Sequence, residues 1–342
     1  MDFTYGIVTF NSETTIIETL ESIKFQITKY GSKYKNYLVI SDDCSKDNTL
    51  YVIDKWLKLN SHLFTNVKKI STGINSGLCV NYALMVDNIK TDHFIQLAGD
   101  DLICSEDIYS KIFNISNNEL KVFLKISFNN NGVIENIHDY ILQSFYSHIN
   151  HTNKKDIWIL ELLSPYSSVE ISFNRQLYTD ECMSYIKNYR NFEDDTSLFY
   201  ILKHNKKALF NFDKSPLVLY RRGETSLTKI TNSSSQIAFL DDLYVFRKHT
   251  LKCEKNIFVK LFLFLIVWDN FLMKHRFAAE NCLDRKIKRR INNRIKNKVL
   301  HNREYQFNQE EYVKLIKQES KYLNEIKEAA NEFMNTIVNS DE

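Results

Sequence analysis

Several features are missing from this chain of 342 residues, and each absence excludes something. Glycine and proline are scarce, at seven and two residues; this bias points to no activity by itself. The six cysteines, at positions 44, 79, 104, 182, 253 and 282, form no Cys-x-x-Cys pair and have no close histidine at zinc spacing. They read as reduced, mostly buried thiols of a cytoplasmic protein. The opening MDFTYGIVTF has no basic stretch ahead of its apolar run and no small-residue cleavage site, so it is expected to be a first strand and not an export signal. The apolar stretch IFVKLFLFLIVW at 257–268 is interrupted by Lys260 and falls short of the roughly 20 residues that cross a bilayer. Neither Gly-x-Gly-x-x-Gly nor Gly-x-x-x-x-Gly-Lys-Ser/Thr follows Phe10. Backbone therefore has no glycine loop with which to approach a pyrophosphate closely, and side chains or a metal would have to hold one.

What is present belongs to a folded protein. Hydrophobic residues make up 44% and charged residues 25%, which excludes a disordered chain. The length suits one α/β domain of roughly 200 to 250 residues with a smaller appendage. A net charge of +3 is too small to name a partner, although the positive charge is unevenly placed.

Short β-rich runs alternate with helical periodicity through the first hundred residues. YGIVTF (5–10) precedes Asn11 and Ser12 as caps and Ile16, Leu20 and Ile23 at helical spacing. YLVIS (37–41) precedes a polar turn and then Leu50, Ile53, Trp56 and Leu57; residues 67–72 precede a turn at 75–77 and a helix over 78–86; HFIQLAGDD supplies a fourth strand ending in acids. Such alternation predicts a parallel sheet with helices on both faces. Further strands are expected at 121–128 and 168–174 and a helical region at 181–204, with TNSSSQ (231–236) as a linker and helices beyond it.

Ligands of an open parallel sheet bind beyond the carboxyl ends of the strands. The unusual polar residues cluster at those ends: Thr9, Asn11 and Glu13 after strand one, Asp42 and Asp43 after strand two, Asn75 and Gly77 after strand three, Asp100 and Asp101 after strand four. One polar turn is ordinary capping; four converging turns suggest a ligand. A nucleoside diphosphate sugar would need its charge offset as the sugar leaves, and Mg²⁺ or Mn²⁺, held by one or two carboxylates plus phosphates, does this. Adjacent strand residues point to opposite sides, so Asp101 is expected to meet the metal and Asp100 the ribose.

The order of motifs resembles a family 2 glycosyltransferase of the GT-A fold over about the first 225 residues. VTFNSE (8–13) is similar to the family's P-x-Y-N-x-E, VISDDCSKDNT (39–49) to V-D-D-G-S-x-D-x-T, and INSGLCVNYAL (74–84) to N-x-G-x-x-x-A-x-N. IQLAGDD (95–101) is similar to L-D-x-D-D, NFEDD (191–195) to the later E-D motif, and LYRRGETSLT (219–228) to Y-R-x-H-x-x-S-x-S. The resemblance implies a Rossmann-like, mainly parallel α/β sheet over 1–228, with a helical appendage over 229–342. It implies that Thr9, Phe10, Asn11, Glu13 and Asp42 line the base and ribose pocket, with Asp42 on uracil N3, and that Asn75 and Gly77 belong to the donor side. Glu193 and Asp194 would face the acceptor, Asp194 as general base of an inverting transfer. The sequence departs from the pattern at Ala98, where an aspartate is common, and at Gly223, where many members have histidine. Arg221 and Arg222 are then expected to neutralise the diphosphate.

In the appendage, RKIKRRINNRIKNKVLHNR (285–303) carries nine Lys or Arg and no acid, with Ile287, Ile291, Ile295 and Val299 four apart. This is the pattern of a helix lying on an anionic membrane surface; a solvated helix and a nucleic-acid contact are the alternatives, and no nucleic-acid-binding module accompanies it. The stretch 257–268 is expected to be buried on the catalytic domain or to lie at an interface. Leu315, Leu323, Ile326, Ala330, Phe333 and Ile337 form one helical stripe that must pack on something, with a second copy of the chain as one candidate. The full expectation is an enzyme peripheral to the inner face of the plasma membrane. It would move a hexose from a UDP-sugar to an undecaprenyl diphosphate-linked saccharide in O-antigen or capsule assembly. The rivals are a nucleotidyltransferase of related fold and a non-catalytic scaffold.

Overall fold

In the computed structural model, residues 1–137, 140–141, 171–205, 207–222, 234–255, 257–274, 290 and 308–340 are described. The basic segment 285–303, apart from Arg290, lies outside them, as do Gly223 and residues 231–233 of the expected linker. Four parallel strands, β1 (Asp2–Thr9), β2 (Lys35–Asp42), β3 (Asn66–Ser71) and β4 (His93–Ala98), form one sheet in the order β3-β2-β1-β4. The helices α1 (Ile16–Gln26), α2 (Thr49–Asn60) and α3 (Leu78–Asn88) connect them. The expected alternation is thus present, each strand within two or three residues of its predicted place. Phe3, Tyr5 and Ile7 pack with α1 and α2 in one cluster, whereas Val39 and Phe94 pack with α3 in another. Both faces of the sheet are therefore covered, as a parallel sheet requires.

The register sets what the strands deliver. Thr9 lies beside Asp42 and Asp42 beside Ser71, while Val8 lies beside Ala98. The carboxyl ends consequently form one level rim, from which the loops leave together.

A second sheet has the order β5-β9-β6-β7. It contains β5 (Leu102–Ile103), β6 (Glu119–Asn129), β7 (Gly132–Val133) and β9 (Leu209–Arg221), with β8 (Ile171–Phe173) paired to β6. Strand β9 has no counterpart in the sequence reading. Its middle, DKSP (213–216), breaks the apolar pattern, and Pro216 is accommodated where the β6 register shifts opposite it. The short α4 (Ile108–Ile112) follows β5, while α5 (Asp180–Ile186) and α6 (Glu193–His204) split the expected helical region 181–204.

Three longer helices follow: α7 (Ser234–Cys253), α8 (Ile257–Lys274) and α9 (Gln309–Ser340). Helix α9 answers the question of what its stripe packs on. Leu323 is fully buried and joins Leu315 and Ile326 in a cluster with Leu102, Ile126 and Phe128, while Ala330, Phe333 and Ile337 join the cluster of α1 and α2. The stripe is covered by α1, α2 and the second sheet of its own chain, so it is not available to a second copy.

Glu319 is fully buried on the same helix and accepts from the Ser105 amide at 3.0 Å and hydroxyl at 2.6 Å. Burial nevertheless raises its carboxyl above the usual range. A carboxyl with a raised folded pKa contributes stability below its unfolded pKa and loses it as pH climbs through the folded value. The contribution of Glu319 to stability is therefore expected to be full below the ordinary carboxylate range and to be lost as pH rises through its raised value, and Glu319→Gln to remove that pH dependence. Urea unfolding across this window measures both.

Candidate active site

Two loops at the rim are tied together by the residues that the sequence singles out. The Asn11 amide donates to Ser45 Oγ at 2.8 Å and Asn11 Oδ1 accepts from the Lys46 amide at 2.8 Å. Glu13 accepts from the Asn48 amide at 2.8 Å and its own amide donates to Asp47 at 3.1 Å. Asn11, at φ +50°, uses the left-handed conformation that asparagine tolerates. Asn11 and Glu13 thus shape the rim from within the first loop. Phe10 leaves its ring 45% exposed there.

The two aspartates after β2 divide their work. Asp42 is fully buried, with Oδ1 accepting from Ser45 Oγ at 2.5 Å and Oδ2 from the Ser45 amide at 2.9 Å. Contact with a base would have to share an oxygen already used by Ser45. Asp43 reaches the next loop: its carboxylate accepts from the amides of Ser76 at 2.7 Å and Gly77 at 2.9 Å. Gly77 sits at φ +92°, and a Cβ there would meet Arg190 Cγ at 2.5 Å. Asn75 in turn accepts from the Arg190 guanidinium. The Asn75–Gly77 turn is therefore held between Asp43 and the residues that lead into α6.

Asp100 and Asp101 occupy a turn, since β4 ends at Ala98. The strand alternation used to separate their roles does not apply to them. The turn is instead fixed by its backbone. Gly99 N–H donates to Val8 at 2.9 Å, Gly99 C=O accepts from Thr15 Oγ1 at 2.9 Å, and Asp100 C=O accepts from Arg221 Nε at 2.8 Å. Asp101 is 1% exposed; its Oδ1 accepts from the Arg221 amide at 2.9 Å, and its Oδ2 has no hydrogen-bond partner. Burial pushes both carboxyls up, and the neighbouring Asp100 charge pushes Asp101 further.

Arg221 offsets part of this charge from behind the turn. Its Nη2 donates to Glu18 at 2.5 Å, its guanidinium lies 4.5 Å from the centre of the Phe128 ring, and its side chain is 9% exposed. These contacts place it as a brace for the turn. Arg222 is exposed and donates from Nε to Ser127 Oγ at 2.9 Å.

Glu193 and Asp194 open α6 after Phe192, a left-handed residue at φ +67°. Acids in the first turn suit the positive end of a helix. Asp242 of α7 holds the approach, its Oδ2 accepting from the Arg190 amide at 2.9 Å and the Asn191 amide at 2.5 Å. Burial raises the Tyr220 hydroxyl, and the charges of Asp101, Asp100 and Asp194 raise it further. The sequence reading did not single out Tyr220, although it lies inside LYRRGETSLT.

Other contributors missed in the sequence are Glu18, Asn81, Gly99 and Asp242. Asn81 Nδ2 donates to the Ser41 carbonyl at 3.0 Å, clamping the β2 end, while Asn81 Oδ1, Ser41 Oγ and Thr9 Oγ1 are buried without hydrogen-bond partners beneath the rim. Only the contact at Gly99 had a possible signal, a lone glycine before two acids. A Cβ there would meet Thr9 Oγ1 at 2.7 Å and Ser12 Oγ at 2.9 Å. Gly99→Ala is expected to displace the turn and lower kcat/KM about 10²-fold, with a folded protein by circular dichroism; steady-state kinetics measure it.

The comparisons with known proteins bear on the fold and the family. The S. aureus TarS 1–349 structure in complex with UDP matches at a TM-score of 0.52 and 17% identity, covering 82% of this chain and 74% of that one. The TarS 1–349 complex with UDP-GlcNAc matches at 0.54 and 16%, covering 84% and 78%. At such identity the likeness concerns the fold, which is that of GT-A transferases. No curated protein sequence matches at a significant level. The family model described as glycosyl transferase family 2 matches residues 4–178, and with half of its length so matched the chain belongs to that family of glycosyltransferases.

Proposed function

We propose that this glycosyltransferase moves a hexose from a UDP-sugar to a lipid-linked saccharide with inversion of configuration. The observation that carries the reading is the buried Asp101 Oδ2, without a hydrogen-bond partner and beside a second carboxylate. Two adjacent acids in a low-dielectric turn, with one guanidinium shared between them and Glu18, call for a further cation. Among the described residues no cluster of three or more His, Cys, Asp or Glu could hold a metal. A Mn²⁺ or Mg²⁺ ion bound through one or two carboxylates and the donor's phosphates suits this donor set. Asp101 would hold it, with Asp100 alongside toward the ribose, and the ion would stabilise the charge that develops on the departing diphosphate.

The chain's own residues do the rest. Arg221 and Glu18 keep the turn in place, and exposed Arg222 takes a phosphate oxygen. The exposed Phe10 ring offers a face to the base, and Thr9, Asn11, Glu13 and Asp42 keep the rim in shape around it. On the acceptor side Asp194 withdraws the hydroxyl proton, with Glu193 beside it in the first turn of α6 and Asp242 setting their approach. Uridine as the base is supported by the TarS complexes with UDP and UDP-GlcNAc.

The acceptor is proposed to be an undecaprenyl diphosphate-linked saccharide of O-antigen or capsule assembly, met at the inner face of the plasma membrane. The basic segment 285–303 supports this, since anionic headgroups attract such a stretch. Purified protein with Mn²⁺, a panel of UDP-sugars and lipid-linked acceptors tests the reading. Transfer is expected from one donor, and Asp194→Asn is expected to lower its kcat about 10²–10⁴-fold. Full activity of Asp194→Asn would remove that residue as base, and no transfer from any UDP-sugar would remove the donor assignment.

A further inference from the structure

Among its described side chains, helix α8 is apolar on two sides, and one of them is packed while the other is exposed. Leu263 and Val267, 0% and 9% exposed, face the protein, and Phe271 meets Tyr244 of α7 at 6.1 Å between ring centres. Ile257, Leu261, Phe264, Leu265 and Trp268 stand in solvent at 75%, 63%, 53%, 39% and 54% exposure. At about 100° per residue these five fall within an arc of about 100° on a side distinct from Leu263. Lys260, also exposed, borders that arc. Scattered surface leucines need no explanation, but a row of five large apolar side chains along one helix marks a binding surface.

Which partner fits is indicated by charge and by position. Beyond the end of α8 the sequence runs into 285–303, with nine Lys or Arg and no acid. An apolar helical face followed by a polybasic stretch is a two-part signal for an anionic lipid surface, one part inserting among acyl chains and the other meeting headgroups. No described helix is long and apolar enough to cross a membrane, so α8 would lie in the interface. Its location serves the acceptor side. Helix α8 packs on α7, and α7 holds the Arg190 and Asn191 amides through Asp242, directly ahead of Glu193 and Asp194.

We propose that the exposed face of α8 docks the enzyme onto an anionic lipid bilayer by shallow insertion of Leu261, Phe264 and Trp268. The proposal deepens the reading of a lipid-linked acceptor and rests on it. It assigns to α8 the apolar half of an attachment whose basic half lies in 285–303.

The test uses the full chain with vesicles of phosphatidylglycerol and phosphatidylethanolamine, and with vesicles of phosphatidylcholine alone. Wild type is expected to co-sediment with the anionic vesicles, and brominated acyl chains to quench a fluorescence component that Trp268→Phe removes. The triple variant Leu261→Ser, Phe264→Ser, Trp268→Ser changes only exposed side chains. It is expected to lose about tenfold or more in vesicle partition while its UDP affinity and melting temperature stay at wild-type values. Equal partition of wild type and triple variant would overturn the proposal, as would partition without quenching. A wild-type dimer that the triple variant converts to monomer would assign the face to a second copy instead. Loss of UDP binding by wild type with vesicle binding intact would sink the donor-site reading and leave the docking face standing. Transfer to an acceptor with no vesicle binding would do the reverse.

Discussion

The guanidinium of Arg221 holds together the part of this protein on which the rest of the site depends. It sits at the end of β9, brought from the second sheet to the end of the first, and it braces a turn that presents two adjacent carboxylates. Glu18 from α1 completes the pair at 2.5 Å. Burying several acids with one arginine is unfavourable unless further positive charge arrives, and removing one partner of a buried ion pair typically costs about 3–5 kcal/mol. The fold therefore keeps a locally acidic turn in a fixed geometry. That constraint ties the second sheet to the first at this point, and it is the ground for the proposal that a cation and a diphosphate bind there.

Around this turn, most of the polar residues near the ligand side organise loops. Asn11, Glu13, Asp42 and Asp43 each bond to the next loop or within their own, so the rim is a linked set of turns with few side chains left to reach outward. Phe10 and Arg222, both exposed, are among those that do. Precise transfer needs such rigidity, because small displacements of the reacting groups lower rates steeply. The start of α6, the proposed acceptor side, follows the same logic with different parts: Asp242, reaching from α7, fixes the entrance to α6 and with it Glu193 and Asp194.

The first sheet was legible in the sequence because each strand and helix there carries one uninterrupted periodicity. The position of the acids at the strand ends was legible for the same reason. Strand β9 was not, since Asp213 to Pro216 interrupt its pattern and its pairing with β6 is irregular. That omission hid the fact that β9 ends at Arg221, which places Arg221 against the acidic turn and leaves Arg222 just past the strand end. Alternation misled in the other direction at Asp100 and Asp101, which lie in a turn. The stripe on α9 was visible as a pattern, but a pattern says that a face is buried and not against what. Long-range partners such as Glu18 with Arg221, or Asp242 with Asn191, leave no local signal at all.

The central claim is that the Asp100–Asp101 turn recruits a divalent cation together with a nucleoside diphosphate. Calorimetric titration of UDP into the full chain, with and without Mn²⁺, tests it most directly. The account predicts that Mn²⁺ tightens UDP binding in the wild type and that Asp101→Asn loses this gain while keeping its fold. UDP affinity that is indifferent to Mn²⁺ in the wild type, or a metal-dependent gain that survives in Asp101→Asn, would contradict it.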